Sequence, residues 1–154
     1  MNLPAAGVLP TPPGGRVIVL TGPPQLTEAH QQNQIIMDVI AQAAFCYAAG
    51  GYQVVCDGIV GPWFIGVFRT VATARAIPLH YVIVRPDQAT ALRRARRRPS
   101  HALTNPGPIR QLHREFTDIG IYERHVFDNT WLEPQATADA VLRGLAEGAY
   151  YLAP

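Results

Sequence analysis

Several polar residues that could bind phosphate or a metal ion directly follow the apolar runs of the sequence. Asp57 follows the run VVC, Arg85 follows YVIV, and Asp128 follows HVF. In open parallel α/β sheets, ligands bind beyond the carboxyl ends of the strands. An Asp there can hold Mg²⁺ and an Arg can neutralise phosphoryl oxygens, although both types also suit turns and caps. The candidates are Thr21, Gly22, Asp57, Gly58, Arg85, Asp128, Asn129 and Thr130.

The first apolar run begins as a phosphate-binding loop usually does, but the loop does not follow. Residues 17–20 lead into Thr21-Gly22-Pro23-Pro24, and the continuation G-x-x-x-x-G-K-[ST] is missing. All 13 basic residues are arginines, because the chain contains no lysine. A phosphate-cradling lysine, a Schiff-base lysine and a lysine general base are therefore excluded.

An arginine-rich segment, RRARRRP, occupies residues 93–99. It has three interpretations: a lid that clamps phosphates with bidentate donors, a nucleic-acid surface, or a solvated helix face. No aromatic residues are interleaved to stack on bases, and the net charge is only +2. Both features disfavour a nucleic-acid partner.

The cysteines and histidines form no recognisable catalytic or metal-binding motif. Cys46 and Cys56 have apolar neighbours and no C-x-x-C spacing, so we expect buried structural thiols in a reducing compartment. The five histidines lack H-E-x-x-H spacing. We expect a flexible Pro/Gly-rich leader over residues 1–15, no membrane-spanning helix and a cytoplasmic location.

Strand and helix patterns alternate after the leader. Continuous apolar runs predict strands over residues 17–20, 53–56, 79–84 and 125–127. Three- and four-residue spacing predicts helices over residues 28–49, 62–76, 88–98, 109–122 and 136–148, and Asp87 can cap the third of them. The alternation predicts one α/β domain over residues 16–154, with a parallel sheet covered on both faces.

The helical spacing also predicts which side chains are buried. In the first helix, the apolar positions share one stripe: Ile36, Val39, Ile40, Ala43, Ala44 and Tyr47. In the last helix, Val141, Leu142 and Leu145 are expected to point inward. Core packing is also expected around the second helix, at Trp63, Phe64, Ile65, Phe68 and Val71.

The order of these segments resembles that of the P-loop small-molecule kinases. The segments that carry the resemblance, between residues 16 and 145, are RVIVLTGPP, VVCDGIVGPW, HYVIVRP, ALRRARRRP and HVFDNT. The most similar types are shikimate kinase, gluconate kinase, chloramphenicol phosphotransferase and the AAA-type predicted kinases. The resemblance implies a three-layer P-loop NTPase-like fold with about four parallel strands. It also implies ATP-dependent phosphotransferase ancestry, with ATP and Mg²⁺ as cofactors and a small molecule or nucleotide as ligand.

The same resemblance implies roles for individual residues. Asp57 would be the catalytic residue and lie near Mg²⁺ or the acceptor substrate. Residues 93–98 would form the lid, and residues 128–130 would lie beside the adenine. Arg110 and Arg114, on the helix after the lid, would reach the phosphates or the substrate. The implied nucleotide- or phosphate-binding set is Thr21, Gly22, Arg93, Arg97, Arg98, Arg110, Arg114, Asp128, Asn129 and Thr130.

One block of the family pattern is missing after Pro24. The chain continues with LTEAHQQNQ, which resembles the segment beyond the loop, one helix and one acidic strand. The family order puts the missing strand at the sheet edge, so the four remaining strands can still pair. We expect a catalytically impaired kinase fold, because the loop amides, the lysine and the metal-holding hydroxyl stabilise the transferring phosphoryl group.

Two alternatives remain open. The first is a divergent enzyme that uses the arginine lid, Asp57 and Asp128 on a phosphorylated ligand. The second is a non-catalytic binding module, whose exposed sheet edge would pair with a partner strand or with a second copy of the chain.

Overall fold

The computed structural model describes residues 15–21, 30–97 and 104–152. Within these ranges the chain forms four strands and five α-helices, with a short 3-10 helix, Gly120–His125, before the last strand. The strands are β1 Arg16–Thr21, β2 Gln53–Gly58, β3 Leu79–Val84 and β4 Val126–Phe127. The helices are α1 His30–Ala49, α2 Ile65–Arg75, α3 Gln88–Arg96, α4 Pro106–Glu115 and α5 Pro134–Ala146.

The four strands form one parallel sheet in the order β2-β1-β3-β4. Val17 and Val19 of β1 and Val82 of β3 are fully buried, as expected for inner strands that are covered on both faces. The prediction of an α/β fold with about four parallel strands is confirmed.

Helices α1 and α2 pack against the same face of the sheet. Val17 and Val19 of β1 and Tyr81 of β3 share a core cluster with Phe45 of α1 and Phe68 of α2. The side chains that alternate with these strand residues point to the other face, which α5 covers. That second cluster consists of Ile18, Val82, Leu145 and Tyr150.

The shared face of α1 and α2 gives the topology an unusual hand. The chain passes from β1 to β2 on one side of β1, and then from β2 to β3 on the other side. Two crossovers that move in opposite directions over one face have opposite hands, so one of them is left-handed. Connections between parallel strands are right-handed in about 98% of cases. If the α2 connection has the usual hand, the left-handed connection is the one from β1 to β2.

The predicted buried stripe of α1 is wrong. The residues of α1 that contact the core are Ala41, Ala44, Phe45 and Ala48. Three alanines on this stripe let the helix approach the sheet closely. The predicted positions Ile36, Val39, Ile40, Ala43 and Tyr47 are exposed, and only Ala44 of that set is buried. Because both stripes have helical spacing, periodicity alone could not identify the buried one.

Two other burial predictions need correction. Leu142 of α5 is exposed, while Val141 is half-buried and Leu145 is buried. Cys46 is exposed and its Sγ accepts a hydrogen bond from Arg75 Nη1 at 3.4 Å, so it is not a buried thiol. Cys56 is partly buried, and burial raises the pKa of its thiol.

Helix α4 begins and ends earlier than the spacing predicted. It starts at Pro106, and the Asn105 side chain caps it by accepting from the Gly107 N–H at 3.0 Å. Proline at the first helical position and asparagine at the N-cap both favour this start. The helix ends at Glu115, and left-handed backbone at Asp118 (φ 57°) and Gly120 (φ 61°) prevents its continuation.

The other boundaries shift by a few residues. Strand β2 extends through Gly58, α2 begins at Ile65, α3 ends at Arg96, β4 begins at Val126 and α5 starts at Pro134. Trp63 is partly exposed, while the other predicted core residues around α2 are buried. No helix in the described part of the chain is long and apolar enough to cross a membrane.

Candidate ligand site at the carboxyl edge of the sheet

The predicted site residues that end the strands lie along one edge of the sheet, but they do not converge. Along this edge, Gly58 of β2 lies beside Thr21 of β1, then comes the end of β3, and Asp128 follows β4. Asp57 and Asp128 are therefore three strand intervals apart, roughly 14 Å at about 4.8 Å per interval. Two carboxylates at that separation cannot bind the same metal ion.

Arg85, which follows β3, is held by neighbouring protein groups. Its guanidinium forms a bidentate ion pair with Glu123, with Nη1–Oε1 at 3.1 Å and Nη2–Oε2 at 2.9 Å. It also donates to the Phe116 carbonyl. Glu123 in turn accepts the Ile119 N–H at 3.0 Å. The hydrogen bonds from Arg85, and then the Ile119 amide, lower the pKa of the Glu123 carboxyl.

The loop after β4 is connected to the start of α3 by hydrogen bonds. Asp128 Oδ1 accepts from the Thr130 amide at 2.8 Å and from the Thr130 hydroxyl at 2.5 Å. The same hydroxyl oxygen accepts the Asp87 N–H at 2.8 Å. Asp87 is the predicted N-cap of α3 and accepts the Thr90 N–H at 2.6 Å, which is the main cause of its lowered pKa.

Arg94 fixes the other end of this loop. Its Nη2 donates to the carbonyls of Asn129 at 2.9 Å and Leu132 at 2.8 Å, with a longer contact to Thr130 O at 3.5 Å. Arg94 is thus a structural clamp. Nothing in the run RRARRRP distinguishes it from its neighbours, so sequence reasoning could not assign this role.

Asn129 is the buried polar residue of the site that lacks a full set of partners. It is 8% exposed, and its Oδ1 is buried with no hydrogen-bond partner. Its Nδ2 donates to Thr137 Oγ1 at 3.4 Å. Reversing the amide would leave the nitrogen without a partner instead. An unpaired buried polar group costs about 1–3 kcal/mol, which a hydrogen-bonding ligand would recover.

The remaining predicted arginines differ in their contacts. Arg93 is exposed and donates to Thr90 Oγ1 at 3.0 Å. Helices α3 and α4 pack against each other, and four further exposed arginines lie on them or at the C-cap of α3; we call these four the arginine surface. None of the four has an ion pair within the described ranges. The arginine surface consists of Arg96, Arg97, Arg110 and Arg114.

Gly22 and Arg98 lie outside the described residues, and of Thr21 the structure describes the backbone. The predicted roles of these residues, and of the site as a whole, stay predictions.

The residues of this edge do not fit ATP with Mg²⁺ in the manner that the resemblance implies. The chain has no lysine for the phosphates. The two strand-end carboxylates are too far apart to share an ion, and the described residues contain no group of three or more His, Cys, Asp or Glu side chains that could hold a metal. The described residues of this edge therefore provide no geometry for a phosphoryl-transfer step.

The architecture defines a class of fold. A parallel sheet between helices, with polar loops at the carboxyl edge, is an open α/β fold. The chain is similar in structure to the tunicamycin resistance protein of Deinococcus radiodurans, with a TM-score of 0.54 over 90% of this chain and 99% of that chain. The two sequences are 15% identical, so the likeness shows the fold alone. No protein-family model matches the chain, and no curated protein matches it in sequence.

Proposed function

We propose that this chain is a P-loop-kinase-fold protein that has lost phosphoryl transfer. One observation carries the proposal: only residues 22–29 separate β1 from α1, and neither they nor the rest of the chain include a lysine. A G-x-x-x-x-G-K-[ST] loop alone would fill that interval, with no room for the helix and strand that should follow.

The hand of the first crossover supports the loss of a helix and a strand together. A strand beyond β2, reached by a helix on the α5 face, would divide the connection from β1 to β2 into two crossovers. If the α2 connection is right-handed, both of these would be right-handed too. Sequence spacing and topology thus both support the loss of this block.

The remaining arginines do not substitute for the loop. Arg85 is paired with Glu123, and Arg94 donates to backbone carbonyls. For the other arginines the sequence contains no phosphate-binding loop that would position them. Loss of one preorganised donor of an oxyanion costs a factor of about 10² to 10³ in rate. Loss of the whole cradle therefore removes catalysis.

Isothermal titration calorimetry with ATP and Mg²⁺ tests this proposal. We expect no saturable heat at submillimolar nucleotide, while a P-loop kinase with an intact loop gives a clear isotherm in the same buffer. A saturable isotherm for this chain, with release of ADP on incubation, would overturn the proposal.

A second function, binding of an anionic small molecule without chemistry, is favoured by the arginine surface. Its four exposed guanidinium groups have no ion pair within the described ranges, and Arg groups match phosphate oxygens well. A ligand that binds only the folded state raises the melting temperature. We expect a shift with at least one member of a panel of nucleotides and sugar phosphates.

Matched variants locate that effect. Arg110→Ala with Arg114→Ala should abolish the shift, and Arg143→Ala on α5 should preserve it. Asp57→Ala tests whether the β2 end of the edge takes part. No shift across the panel, or an equal loss in the Arg143→Ala control, would contradict the second function.

A further inference from the structure

We propose that two copies of this chain pair through β2 about a two-fold axis, forming one continuous eight-stranded sheet. The proposal does not depend on the loss of catalysis, because it concerns the outer edge of β2 and the adjacent surface of α1.

The outer edge of β2 has no strand neighbour in the part of the chain that the structure describes. Among the described residues β2 pairs only with β1, so its other side presents backbone donors and acceptors. Edge strands are usually protected by lysine, proline or a bulge. In β2 the sequence QVVCDG carries a single charge, Asp57, and Val55 at its centre is 59% exposed.

An apolar surface on α1 lies beside this edge. We call it the α1 surface, and its side chains are between 37% and 65% exposed. Helix α1 packs over β1 and β2, and its Gln42 and Cys46 contact Arg75 of α2 on one flank. By helical geometry Ile36, Ile40 and Tyr47 lie on the opposite flank, which is the side where the next strand would lie. The α1 surface consists of Ile35, Ile36, Val39, Ile40 and Tyr47.

The size of this region matches a dimer interface. With Tyr52, the α1 surface presents on the order of 600 Å² of apolar area, and Val55 adds to the interface on the opposite face of the sheet. That equals the upper end of the largest patch on a typical monomer, about 300–600 Å². A stable interface buries about 800 Å² per partner, and the β2 backbone supplies the remainder.

Strand alternation restricts the register of a two-fold pair. Directly opposite residues of antiparallel strands point to the same face, so Val55 can face only residues of its own parity. An axis at Val55 sets it against the partner's Val55, and sets Gln53 against the partner's Asp57. The two copies of α1 then lie on the same face of the joined sheet, with their apolar surfaces toward each other.

This register also brings together two charged side chains, Arg16 and Asp57, that have no ion pair among the described residues. Arg16 Nη2 donates weakly to Gln53 Oε1 at 3.4 Å, and Arg16 Nε is buried without a partner. The Asp57 side chain has no hydrogen bond or ion pair among the described residues. Because Gln53 would lie between Arg16 and the partner's Asp57, the pairing places opposite charges near each other twice, once on each side of the axis.

Light scattering on the full chain tests the proposal. We expect twice the chain mass of 16.8 kDa at micromolar concentration. Ile36→Glu should weaken dimerisation at least 100-fold, and Leu142→Glu, at an exposed position of α5, should leave it unchanged. Both variants should remain folded. Thermal unfolding at equal protein concentration checks this, once the contribution of dimerisation to the melting temperature is subtracted. A monomer at every concentration would overturn the proposal, as would equal effects of the two substitutions.

Crosslinking tests the register. In a chain with Cys46→Ser and Cys56→Ser, Val55→Cys should form an intermolecular disulfide on mild oxidation, because directly opposed Cβ atoms lie about 4.5–5.5 Å apart. Leu142→Cys in the same background should not crosslink. A dimer in which Val55→Cys stays reduced would exclude this pairing.

Discussion

The two ends of the sheet contrast sharply in how they are stabilised. Around β4, polar groups connect the loop after the strand to α3, through Asp128, Thr130 and Arg94, and Arg85 is paired with Glu123. Around β2, the strand has one described neighbour, and exposed aliphatic side chains replace the polar network. Both β2 and β4 are edge strands with one described neighbour, so the contrast lies in their side chains. Polar contacts cover the β4 end, whereas exposed aliphatic groups lie at the β2 end.

This difference fits the proposed loss of a loop block after β1. Such a loss would remove a helix from one sheet face and a strand from the β2 edge, and would leave the β4 end unchanged. Exposure of Val55 on the α5 face, the edge position of β2 and the hand of the first crossover all lie on the β2 side of the sheet. Predictions at the β4 end test whether it is as rigid as its contacts imply.

The largest effect is expected for Arg94→Ala. The substitution removes a charged donor from the carbonyls of Asn129 and Leu132, and hydrogen bonds to charged groups contribute about 1.5–3 kcal/mol each. Because Arg94 is partly exposed, water recovers some of this, and we expect a loss of about 2–3 kcal/mol in the free energy of unfolding. Urea denaturation measures it. Arg93→Ala, one residue away and exposed, should cost less than about 0.5 kcal/mol.

A smaller effect is expected for Glu123→Gln. The pair with Arg85 is partly exposed, with side-chain exposures of 22% and 40%, so solvent screens it and we expect about 1 kcal/mol. The folded pKa of Glu123 is below the ordinary value of 4.5, so its contribution is present above that pH and is lost as pH falls through the folded value. Acid titration of unfolding should show a shallower loss in the variant. An identical acid limb in both proteins would contradict this account.

The sequence was sufficient for the elements whose signals are local. The strand Leu79–Val84 and the Asp87 cap of α3 were predicted correctly, because a continuous apolar run and a cap residue act on their own neighbours. The buried stripe of α1 was not predicted, because the sheet selects small residues for close approach and that partner is distant in sequence. A stripe such as Ile36, Val39 and Tyr47 is equally regular whether it contacts this chain or another one.

The candidate site was predictable in position but not in contacts. Parallel strands had to bring Asp57 and Asp128 to one edge, yet only the strand order shows how far apart they are. Likewise, six consecutive positions rich in arginine gave no means to separate Arg94, which binds backbone carbonyls, from the exposed Arg97. Which partner an arginine binds depends on the loop that its guanidinium reaches in the folded chain.

A pH effect on stability is expected from two buried histidines, His80 in β3 and His125 directly before β4. Burial lowers the pKa of His125, although its hydrogen bond to the Tyr81 carbonyl at 3.0 Å acts in the opposite direction. Burial, and then Arg16, lower the pKa of His80. Unfolded histidine titrates near 6.5, so stability is present above that pH and falls as pH drops toward the lower folded values.

Urea denaturation between pH 7.5 and 5 measures this slope. His80→Gln should flatten part of it, whereas Glu123→Gln should leave it intact because that carboxyl titrates at lower pH. A wild-type stability that is flat across this range would contradict the assignment of both histidines as neutral in the folded state.

The smallest change in the free energy of unfolding is expected for a substitution at Asn129. Asn129→Ala removes a buried acceptor without a partner along with one 3.4 Å bond, so the relief of the unpaired group offsets the lost packing. We expect the free energy of unfolding to change by less than about 1 kcal/mol. Thr130→Val, next to it, removes a hydroxyl that serves both Asp87 and Asp128 and should cost about 1–2 kcal/mol. If Asn129→Ala lowers the free energy of unfolding more than Thr130→Val does, the amide has a structural role that its contacts do not explain. If Asn129→Ala lowers it little but eliminates ligand-induced thermal shifts, Asn129 belongs to the binding surface of the carboxyl edge.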